Sequence, residues 1–398
     1  MNWKQTTLGE ISSNIQTGPF GSQLHQSDYS ENGIPVVMPK DILNGHVSDI
    51  SIARVPEEYA NRLNRHKIEP GDILYSRRGD VGRCAFTTDI EAGWLCGTGC
   101  LRVTIDQRKA IPKFVFYQLQ KTETIGWVEK HAVGSTMLNL NTSILSNVPI
   151  QIPSIDKQRF IVGVLSAYDN LIENNQKQIK LLEEAAQRLY KEWFVDLRFP
   201  GHENTKITDG VPEGWSVQSI NDIAEYINGY AFKPSDWGNL GKPIIKIKEM
   251  GSGIASDTPR NTGESIPERY NVTAGDILFS WSATLSAKIW DEEDGLLNQH
   301  LFKVIPHGGV SREFVLQSIL KTLDEFSNLT TGSTMKHIQR GKLKEVHIIV
   351  PNEQMMHIYE SISEPSREQI LKLKKRIVIL QEARDRLLPK LMSGEIEV

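Results

Sequence analysis

Residues 71–76 read Gly-Asp-Ile-Leu-Tyr-Ser, and residues 275–280 read Gly-Asp-Ile-Leu-Phe-Ser. Each block places a glycine–aspartate turn directly before a short apolar run, which is typical of a buried strand. The two blocks lie 204 residues apart in a chain of 398 residues. This pattern points to an internal duplication.

Three further pairs of blocks recur in the same order. They are residues 3–15 with 215–227, residues 134–137 with 332–335, and residues 148–153 with 346–351. The distance between partners falls along the chain from 212 to 204 and then to 198 residues, so the second copy is shorter within its first two-thirds. Four matched blocks in one order establish that the chain is built from two copies of one plan.

A segment typical of a long helix follows each copy, over residues 156–197 and 366–392. Apolar residues repeat at alternating spacings of three and four, which predicts a coiled-coil seam. The first seam is Ile161, Leu165, Tyr168, Ile172, Asn175, Ile179, Leu182, Ala186, Leu189 and Trp193. The second is Ile370, Leu373, Ile377, Leu380, Arg384, Leu387 and Leu391, each 198 residues beyond its partner in the first.

Two positions in the first helix allow two interpretations each. Asn175 occupies a seam position where the second helix has Leu373. A buried Asn there fixes register or orientation, or else it lies at a wet part of the seam. Trp193 and Phe194 near the helix end are either plain hydrophobic packing or an aromatic anchor for a partner.

Each copy alternates short β-rich runs with turn signals and then one helix, so the sequence predicts an α+β fold. Predicted strands include residues 34–38, 72–75 and 101–105, and in the second copy 244–248, 277–279 and 301–305. Predicted helices cover 111–121 and 311–321. The expected domains are 1–153 and 215–351, with spacer helices at 154–198 and 352–398 and a Gly/Pro-rich linker at 199–214.

Composition limits the function. The chain is 39% hydrophobic and 24% charged, and it has a net charge of -4. No run approaches the roughly 18 apolar residues of a membrane span, and the N-terminus lacks the apolar core of a signal peptide, so we expect a cytoplasmic protein without a membrane partner. A net negative chain should not coat DNA indiscriminately, so a role on DNA requires local basic patches or a partner that supplies charge.

No catalytic constellation is evident in the sequence. No two prolines are adjacent, which removes the Asn/Asp-Pro-Pro-aromatic segment of amino-methyl transfer, and no glutamate is followed two residues later by lysine. A Gly-x-x-x-x-Gly-Lys-Ser/Thr phosphate loop is also missing. Cys84, Cys96 and Cys100 lack the spacing of a zinc site and are interpreted as free or buried thiols. We therefore expect a non-catalytic chain without a metal or a cofactor of its own.

The chain resembles the specificity subunit of type I restriction–modification systems over essentially its whole length. The resemblance rests on the duplicated order of the paired Gly-Asp-Ile-Leu and Gly-Ser-Thr-Met blocks, on residues 211–215 (Val-Pro-Glu-Gly-Trp), and on the helix ends at 193–196 and 388–394. It implies two target-recognition domains, each reading one half of a split DNA target. It also implies two antiparallel spacer helices that dock two adenine-N6 methyltransferase subunits, with S-adenosylmethionine on those partners. Whether restriction subunits join the complex stays open.

The candidate DNA-binding residues are donors on loops. They are Arg77, Arg78, Arg83, Ser135, Thr136 and Asn139 in the first copy, and Lys246, Lys248, Trp281, Ser333, Thr334, Lys336, His337 and Arg340 in the second. Arginine reads guanine in the major groove or holds a phosphate, whereas the small hydroxyls suit phosphate contact. Arg77 to Arg83 could instead form a solvated turn with ion pairs, the Gly-Ser-Thr-Met segments could be structural turns, and Lys246 and Lys248 could lie on a solvated strand face.

The candidate interface of the helices is their apolar seam. Its members are Ile172, Asn175, Ile179, Leu182, Leu189, Trp193, Phe194, Ile370, Leu373, Ile377, Leu380, Leu387 and Leu391. A helix of about 37 residues spans about 55 Å, long enough to hold two domains over half-sites roughly one DNA turn apart. The competing interpretation is a coiled-coil adaptor whose two β-rich modules bind protein or another ligand.

Overall fold

The structure, a computed structural model, describes residues 3–134, 138–282, 284–328, 338 and 340–396. The chain divides into two compact units. Unit 1 comprises residues 1–172 and 379–398, and unit 2 comprises residues 173–378. Each long helix therefore contributes to both units.

The strands of unit 1 form a four-stranded antiparallel sheet, a three-stranded sheet and two short pairs. In chain order they are β1 (Lys4–Thr7), β2 (Ser12–Thr17), β3 (Ile34–Val37), β4 (Ile42–Leu43), β5 (His46–Val47), β6 (Ala53–Val55), β7 (Ile73–Ser76), β8 (Cys84–Phe86), β9 (Leu95–Cys96), β10 (Cys100–Ile105) and β11 (Pro149–Ile152). The large sheet has the order β2-β10-β7-β8, the smaller one β6-β3-β9, and the pairs are β1-β11 and β4-β5.

The strands of unit 2 follow the same plan. They are β12 (Ile207–Thr208), β13 (Val211–Pro212), β14 (Ser216–Ser219), β15 (Ala224–Asn228), β16 (Lys242–Ile245), β17 (Arg260–Asn261), β18 (Asn271–Val272), β19 (Ile277–Ser280), β20 (Ser286–Ile289), β21 (Gly295–Leu297), β22 (Leu301–Pro306) and β23 (His347–Val350). Their sheets have the orders β15-β22-β19-β20, β17-β16-β21-β18, β14-β23 and β12-β13. The predicted duplication and α+β class are confirmed by this matching topology.

The helices complete the description. Unit 1 has α1 (Leu8–Ile11), α2 (Glu57–Arg62), α3 (Pro112–Leu119), α4 (Thr122–His131), α5 (Thr142–Ser146) and the start of α6 (Ile155–Tyr190). Unit 2 has α7 (Ile247–Ser252), α8 (Arg312–Lys321), α9 (Leu323–Asn328) and the start of α10 (Glu353–Ser393). A π-helical turn, Lys191–Val195, follows α6. Short 3-10 helices cover Gly21–Gln23, Gln26–Asp28, Pro39–Asp41, Asn64–His66, Asp89–Glu91, His202–Asn204, Pro234–Asp236, Glu268–Tyr270 and Arg340–Lys344.

The Gly-Asp turns that open β7 and β19 have the same geometry. Gly71 and Gly275 adopt left-handed φ angles of 90° and 101°, a conformation that side chains with a Cβ rarely accept. The Asp72 carboxylate accepts the Glu69 amide at 2.8 Å, and the Asp276 carboxylate accepts the Thr273 amide at 2.8 Å. These turns explain why the Gly-Asp pair precedes each central strand.

The helix segments in each unit run antiparallel. In unit 1, Arg384 of α10 lies 3.0 Å from Asp169 of α6, and residues nearer the C-terminal end of α10, such as Leu391, belong to the same core as Ile161. In unit 2, Lys374 lies 3.9 Å from Glu183, and the rings of Tyr359 and Trp193 are 6.0 Å apart. The described seam residues are buried or half-buried, as the heptad spacing predicts.

The strand predicted at residues 244–248 is wrong beyond Ile245. Strand β16 ends there, Lys246 caps a helix, and Ile247 and Lys248 lie in α7. The Glu249 carboxylate accepts the Lys246 amide at 3.1 Å, which satisfies a free donor at the helix start. A local cap therefore outweighs the β propensity of the isoleucines.

The predicted linker, residues 199–214, contains ordered structure. It carries the β12-β13 hairpin after the 3-10 turn at His202–Asn204. Phe199 and Trp215 are 3% and 9% exposed, and their rings lie 4.4 Å apart. The segment is thus attached to unit 2 through its aromatic ends.

Candidate nucleic-acid interface

Four loops converge at one end of the large sheet of unit 1. We call them loop cluster 1, residues 17–20, 77–79, 97–99 and 138–140. The Arg77 amide donates to the Gly99 carbonyl at 2.8 Å, and the Leu140 amide donates to the Arg77 carbonyl at 2.8 Å. The Thr98 hydroxyl donates to the Pro19 carbonyl at 2.7 Å. Backbone pairing thus fixes the position of four segments that are far apart in sequence.

Loop cluster 1 brings three of the predicted DNA-binding residues together. Arg78 forms a β-bridge with Asn139, and Arg77 precedes it. The Arg78 side chain is exposed, and among the described residues no ion pair involves it. The half-buried Arg77 guanidinium lies 5.9 Å from the ring of Phe20, which is 55% exposed. The cluster therefore presents one exposed arginine, Arg78, that has no ion pair among the described residues, and a second arginine, Arg77, beside an exposed aromatic ring.

Arg83 has a different environment from Arg78. Its Nε lies 2.6 Å from a carboxylate oxygen of Asp80, three residues earlier. This pair matches the alternative of a solvated turn with local ion pairing. Arg83 is thus a weaker candidate for base reading than Arg78.

Unit 2 builds the same frame. Loop cluster 2 comprises residues 228–231, 281–282, 298–300 and 338. The Ile338 amide donates to the Trp281 carbonyl at 2.9 Å, which matches the bond between Leu140 and Arg77. The Gln299 amide donates to the Tyr230 carbonyl at 2.9 Å. Trp281 therefore occupies the place of Arg77.

A glycine in each cluster permits the loops to approach closely. A Cβ on Gly18 would lie 2.0 Å from the Gly97 carbonyl oxygen, and one on Gly229 would lie 2.2 Å from the Asn298 carbonyl oxygen. No side chain with a Cβ fits at either place without moving the backbone. The two clusters thus share a backbone constraint as well as a hydrogen-bond pattern.

The side chains on the shared frame differ between the units. Trp281 is half-buried, with its ring 5.8 Å from His300 and 5.9 Å from Phe302. Strand β9 pairs in parallel with β3, and strand β21 pairs in parallel with β16. Three residues after the ends of these equivalent strands, unit 1 has Gly99 and unit 2 has His300. One cluster is therefore rich in arginine and the other in aromatic rings.

Lys246 and Lys248 do not lie on one strand face. The Lys246 ammonium is 4.4 Å from the centre of the Trp237 ring, and Trp237 is 47% exposed. Lys248 pairs with Asp257 at 2.8 Å, and its side chain holds the pKa of that carboxyl below the usual value. Lys246 adjoins loop cluster 2, because the Asn298 amide donates to the Ile245 carbonyl at 3.1 Å. Trp237 was not predicted from the sequence. The only sequence feature that points to a loop there is the turn capped by Asp236, which directly precedes Trp237.

Several predicted residues lie outside the described residues. They are Ser135, Thr136, Ser333, Thr334, Lys336 and His337. Arg340 is described and exposed at the start of its 3-10 helix. Asn139 is described and half-buried beside Arg78. The geometry therefore bears only on the flanks of the two Gly-Ser-Thr-Met segments.

Trp193 and Phe194 belong to the core of unit 2. Phe194 is 4% exposed, and its ring meets those of Phe314 and Tyr359 edge-on at 4.9 Å. Trp193 is 8% exposed. These contacts favour the hydrophobic-packing interpretation over the partner anchor.

The three cysteines are buried free thiols. Burial raises the pKa of Cys84 and of Cys96 to about 12, so both stay protonated at neutral pH. Within the described ranges, no group of three His, Cys, Asp or Glu side chains is placed to hold a metal ion. In the same part of the chain, no helix is both long and apolar enough to span a membrane.

Comparison with known proteins identifies the family. The profile described as "Type I restriction modification DNA specificity domain" matches residues 1–184 and 212–376, once per copy. The chain belongs to this family. Specificity subunits are the non-catalytic, DNA-recognising components of type I restriction systems, so the coiled-coil adaptor without DNA specificity is not favoured.

Individual specificity subunits resemble the chain over nearly its full length. The type I restriction enzyme MjaIX specificity subunit of Methanocaldococcus jannaschii is 26% identical over 93% of this chain and 88% of its own length. The HindI specificity subunit of Haemophilus influenzae is 23% identical over 99% of this chain and 100% of its own. The crystal structure of a type I system S subunit from M. genitalium shares the fold, with a TM-score of 0.59 and 17% identity over 98% of this chain and 96% of that one.

Proposed function

We propose that the chain reads a split, asymmetric DNA target, one half-site per unit. The observation that carries the proposal is the repeated four-loop frame, in which Arg77 of loop cluster 1 is replaced by Trp281 in loop cluster 2. A shared backbone hydrogen-bond frame with different side chains suits two readers that dock alike but prefer different bases.

Loop cluster 1 offers groups that suit hydrogen bonding to DNA. The exposed Arg78 guanidinium can bond a guanine edge with two donors or hold a phosphate. Asn139, bridged to it, supplies an amide that both donates and accepts. In unit 2, the exposed Trp237 under the Lys246 ammonium pairs a stacking surface with a charge for phosphates.

We further propose that the helices dock two adenine-N6 methyltransferase subunits, through which restriction subunits join. The segment from Arg367 to Lys390 contains eight Lys or Arg and three Asp or Glu. Lys375 and Arg376 are exposed, and no ion pair within the described residues involves them. Such a basic helix suits an acidic partner surface or the DNA backbone. S-adenosylmethionine would bind the methyltransferase, in the cytoplasm where the DNA target lies.

The helix lengths support a fixed spacer between half-sites. Helix α6 has 36 residues and α10 has 41. At about 1.5 Å per residue they extend for about 54 and 62 Å. Inserting one heptad into both helices should lengthen the unread spacer of the target and leave the half-site sequences unchanged.

DNA binding by the purified chain, with and without a methyltransferase subunit, tests the proposal. The probes are duplexes that carry the target found by methylome sequencing, with either half-site scrambled. The proposal predicts weak binding by the chain alone, because its net charge is -4, and at least tenfold tighter, sequence-specific binding with the partner. Equal affinity for intact and scrambled duplexes in the presence of the partner would overturn it.

A further inference from the structure

Val133 lies directly beside loop cluster 1, two residues after the end of helix α4. Its amide donates to the Asn139 carbonyl at 3.0 Å, and the Asn139 amide donates to the Val133 carbonyl at 2.8 Å. Asn139 in turn forms the β-bridge with Arg78. Three backbone segments, at residues 78, 139 and 133, therefore lie side by side in that order.

The three paired residues form one row of side chains, which we call the side-chain row. Residues directly opposite each other in antiparallel pairs project from the same face, with about 4.5–5.5 Å between their Cα atoms. Arg78, Asn139 and Val133 therefore share one face. The row extends over about 10 Å, which is the length of about three base pairs at about 3.4 Å each.

The backbone at both ends of the side-chain row is held in place. At one end, the Ser76 hydroxyl donates to the Arg78 carbonyl at 3.0 Å. At the other end, the Ala132 amide donates to the carbonyl of Val128, which is fully buried in the core of unit 1, at 2.9 Å. Side chains presented from a fixed backbone suit selective contacts.

The side-chain row combines an apolar group with hydrogen-bond donors. Val133 is 63% exposed, and Arg78 is exposed without an ion pair among the described residues. The major-groove edge of DNA offers matching groups, because guanine presents two acceptors there and thymine presents its 5-methyl group. The row therefore matches the chemistry of a short stretch of major groove.

We propose that Val133 reads the 5-methyl group of a thymine in the half-site of unit 1. The inference rests on the proposed function, in which unit 1 reads one half of a split DNA target. Arg78 and Val133 share a face, so the guanidinium and the apolar contact meet the same groove. The thymine methyl group lies only in the major groove, which assigns the side-chain row to that groove.

Unit 2 keeps the backbone of the row but not its arginine. The Ser280 hydroxyl donates to the Ser282 carbonyl at 3.1 Å, which matches the bond between Ser76 and Arg78. Ser282 is 3% exposed, so no long cationic side chain projects from this position. The equivalents of Val133 and Asn139, at positions 331 and 337, lie outside the described residues. The proposal therefore concerns unit 1 alone.

Replacing single thymines of the target by uracil tests the methyl contact. Uracil pairs as thymine does and lacks only the 5-methyl group. The protein is the full chain with its methyltransferase subunit, and the duplexes carry the target found by methylome sequencing. We expect uracil at one thymine of the half-site of unit 1 to lower the affinity about fourfold, because burying a methyl-sized group contributes about that much. 5-Bromouracil, whose bromine is close in size to a methyl group, should restore it.

No loss of affinity with uracil at any thymine of the target overturns the proposal. A loss that 5-bromouracil leaves in place also overturns it, because the contact would then not depend on the volume of the methyl group.

Val133→Ala links the lost affinity to the residue. Only the main chain of Val133 pairs with Asn139, so the truncation leaves both hydrogen bonds available. We expect the variant to bind the thymine and uracil duplexes equally at the sensitive position, and Val133→Ser, which also removes both methyl groups, to do the same. A uracil effect of wild-type size in both variants overturns the proposal. Thermal unfolding checks that each variant is folded.

Ile90→Ala is the matched control. Ile90 is 66% exposed in the same unit, and it follows the Phe86 end of β8, at the opposite end of the large sheet from loop cluster 1. This variant should keep the full uracil effect. Loss of the effect in Ile90→Ala as well would assign it to the general state of unit 1 and overturn the role of Val133.

Scrambling the half-site of unit 1 separates this proposal from the proposed function. A complex that distinguishes intact from scrambled duplexes, but not thymine from uracil, retains the proposed function and overturns the methyl contact. Equal affinity for intact and scrambled duplexes overturns both.

Discussion

The backbone amide of Leu140 donates a 2.8 Å hydrogen bond to the carbonyl of Arg77. The bond joins the end of strand β7 to a loop more than sixty residues later, and Ile338 and Trp281 repeat it in unit 2 at 2.9 Å. Arg77 and Trp281 have unrelated side chains, so the backbone hydrogen bond is kept in both units while the side chain at that position differs. This relationship separates the scaffold of each unit from its candidate reading surface.

Replacing Arg78 tests the reading surface of unit 1. We expect Arg78→Ala to weaken binding to the first half-site by about 1–3 kcal/mol and to relax its base preference. Arg83→Ala is the matched control, since Arg83 already pairs with Asp80 at 2.6 Å and should cost less. Competition binding of the methyltransferase complex to half-site libraries measures both. An equal loss of affinity for all DNA sequences, together with a shallower salt dependence of binding, would indicate that Arg78 contacts a phosphate instead.

Replacing Trp281 tests the corresponding surface of unit 2. Trp281→Ala removes an indole that lies against His300 and Phe302. We expect the base preference to change at the second half-site and to stay the same at the first, because each cluster lies within its own unit. Methylome sequencing of cells that carry the variant measures this. A change at both half-sites would contradict the assignment of one half-site to each unit.

Replacing Asn175 tests how the seam between the helices is stabilised. It is 2% exposed, and its amide nitrogen has no hydrogen-bond partner among the described residues. We expect Asn175→Leu, which copies Leu373 of the other helix, to raise the free energy of unfolding by about 1 kcal/mol or more. Leu373→Asn is the reciprocal control and should lower it. Urea denaturation measures both; destabilisation by Asn175→Leu would indicate that the Asn sets the helix register.

His66 gives a pH-dependent prediction. Burial, with a smaller effect of the neighbouring Arg65 charge, lowers the pKa of His66 from 6.5 to about 4. Between these values the unfolded chain binds a proton that the folded chain does not, so stability decreases as the pH falls below about 6.5. The free energy of unfolding therefore falls by about 2 kcal/mol between pH 7.5 and pH 5. Urea denaturation at both pH values should show a smaller difference in His66→Gln than in the wild type, and an equal difference would contradict this role.

Much of the fold was predictable because the same residue patterns occur in both copies of the repeat. The Gly-Asp turns, the strands that follow them and the two heptad seams all lie in the described structure where the residue patterns placed them. The boundary of β16 was missed because one carboxylate, that of Glu249, caps a helix there. Local hydrogen bonds of this kind outweigh propensity but leave a weak signal in sequence.

The candidate site was only partly predictable. Arg78 and Asn139 were singled out separately, and only tertiary pairing brings them together. The contact of Arg384 with Asp169 joins residues 215 positions apart, and no spacing rule connects them. The exposure of Trp237 depends on loop packing, which the pattern of residues does not encode.

Single-molecule methylome sequencing of host cells, with the gene for this chain intact and deleted, measures whether the chain directs methylation to a split target. We expect one adenine-methylated motif, made of two short, different sequences separated by unread bases, which disappears on deletion and returns on complementation. An unchanged methylome, or the loss of a single uninterrupted motif, would contradict it.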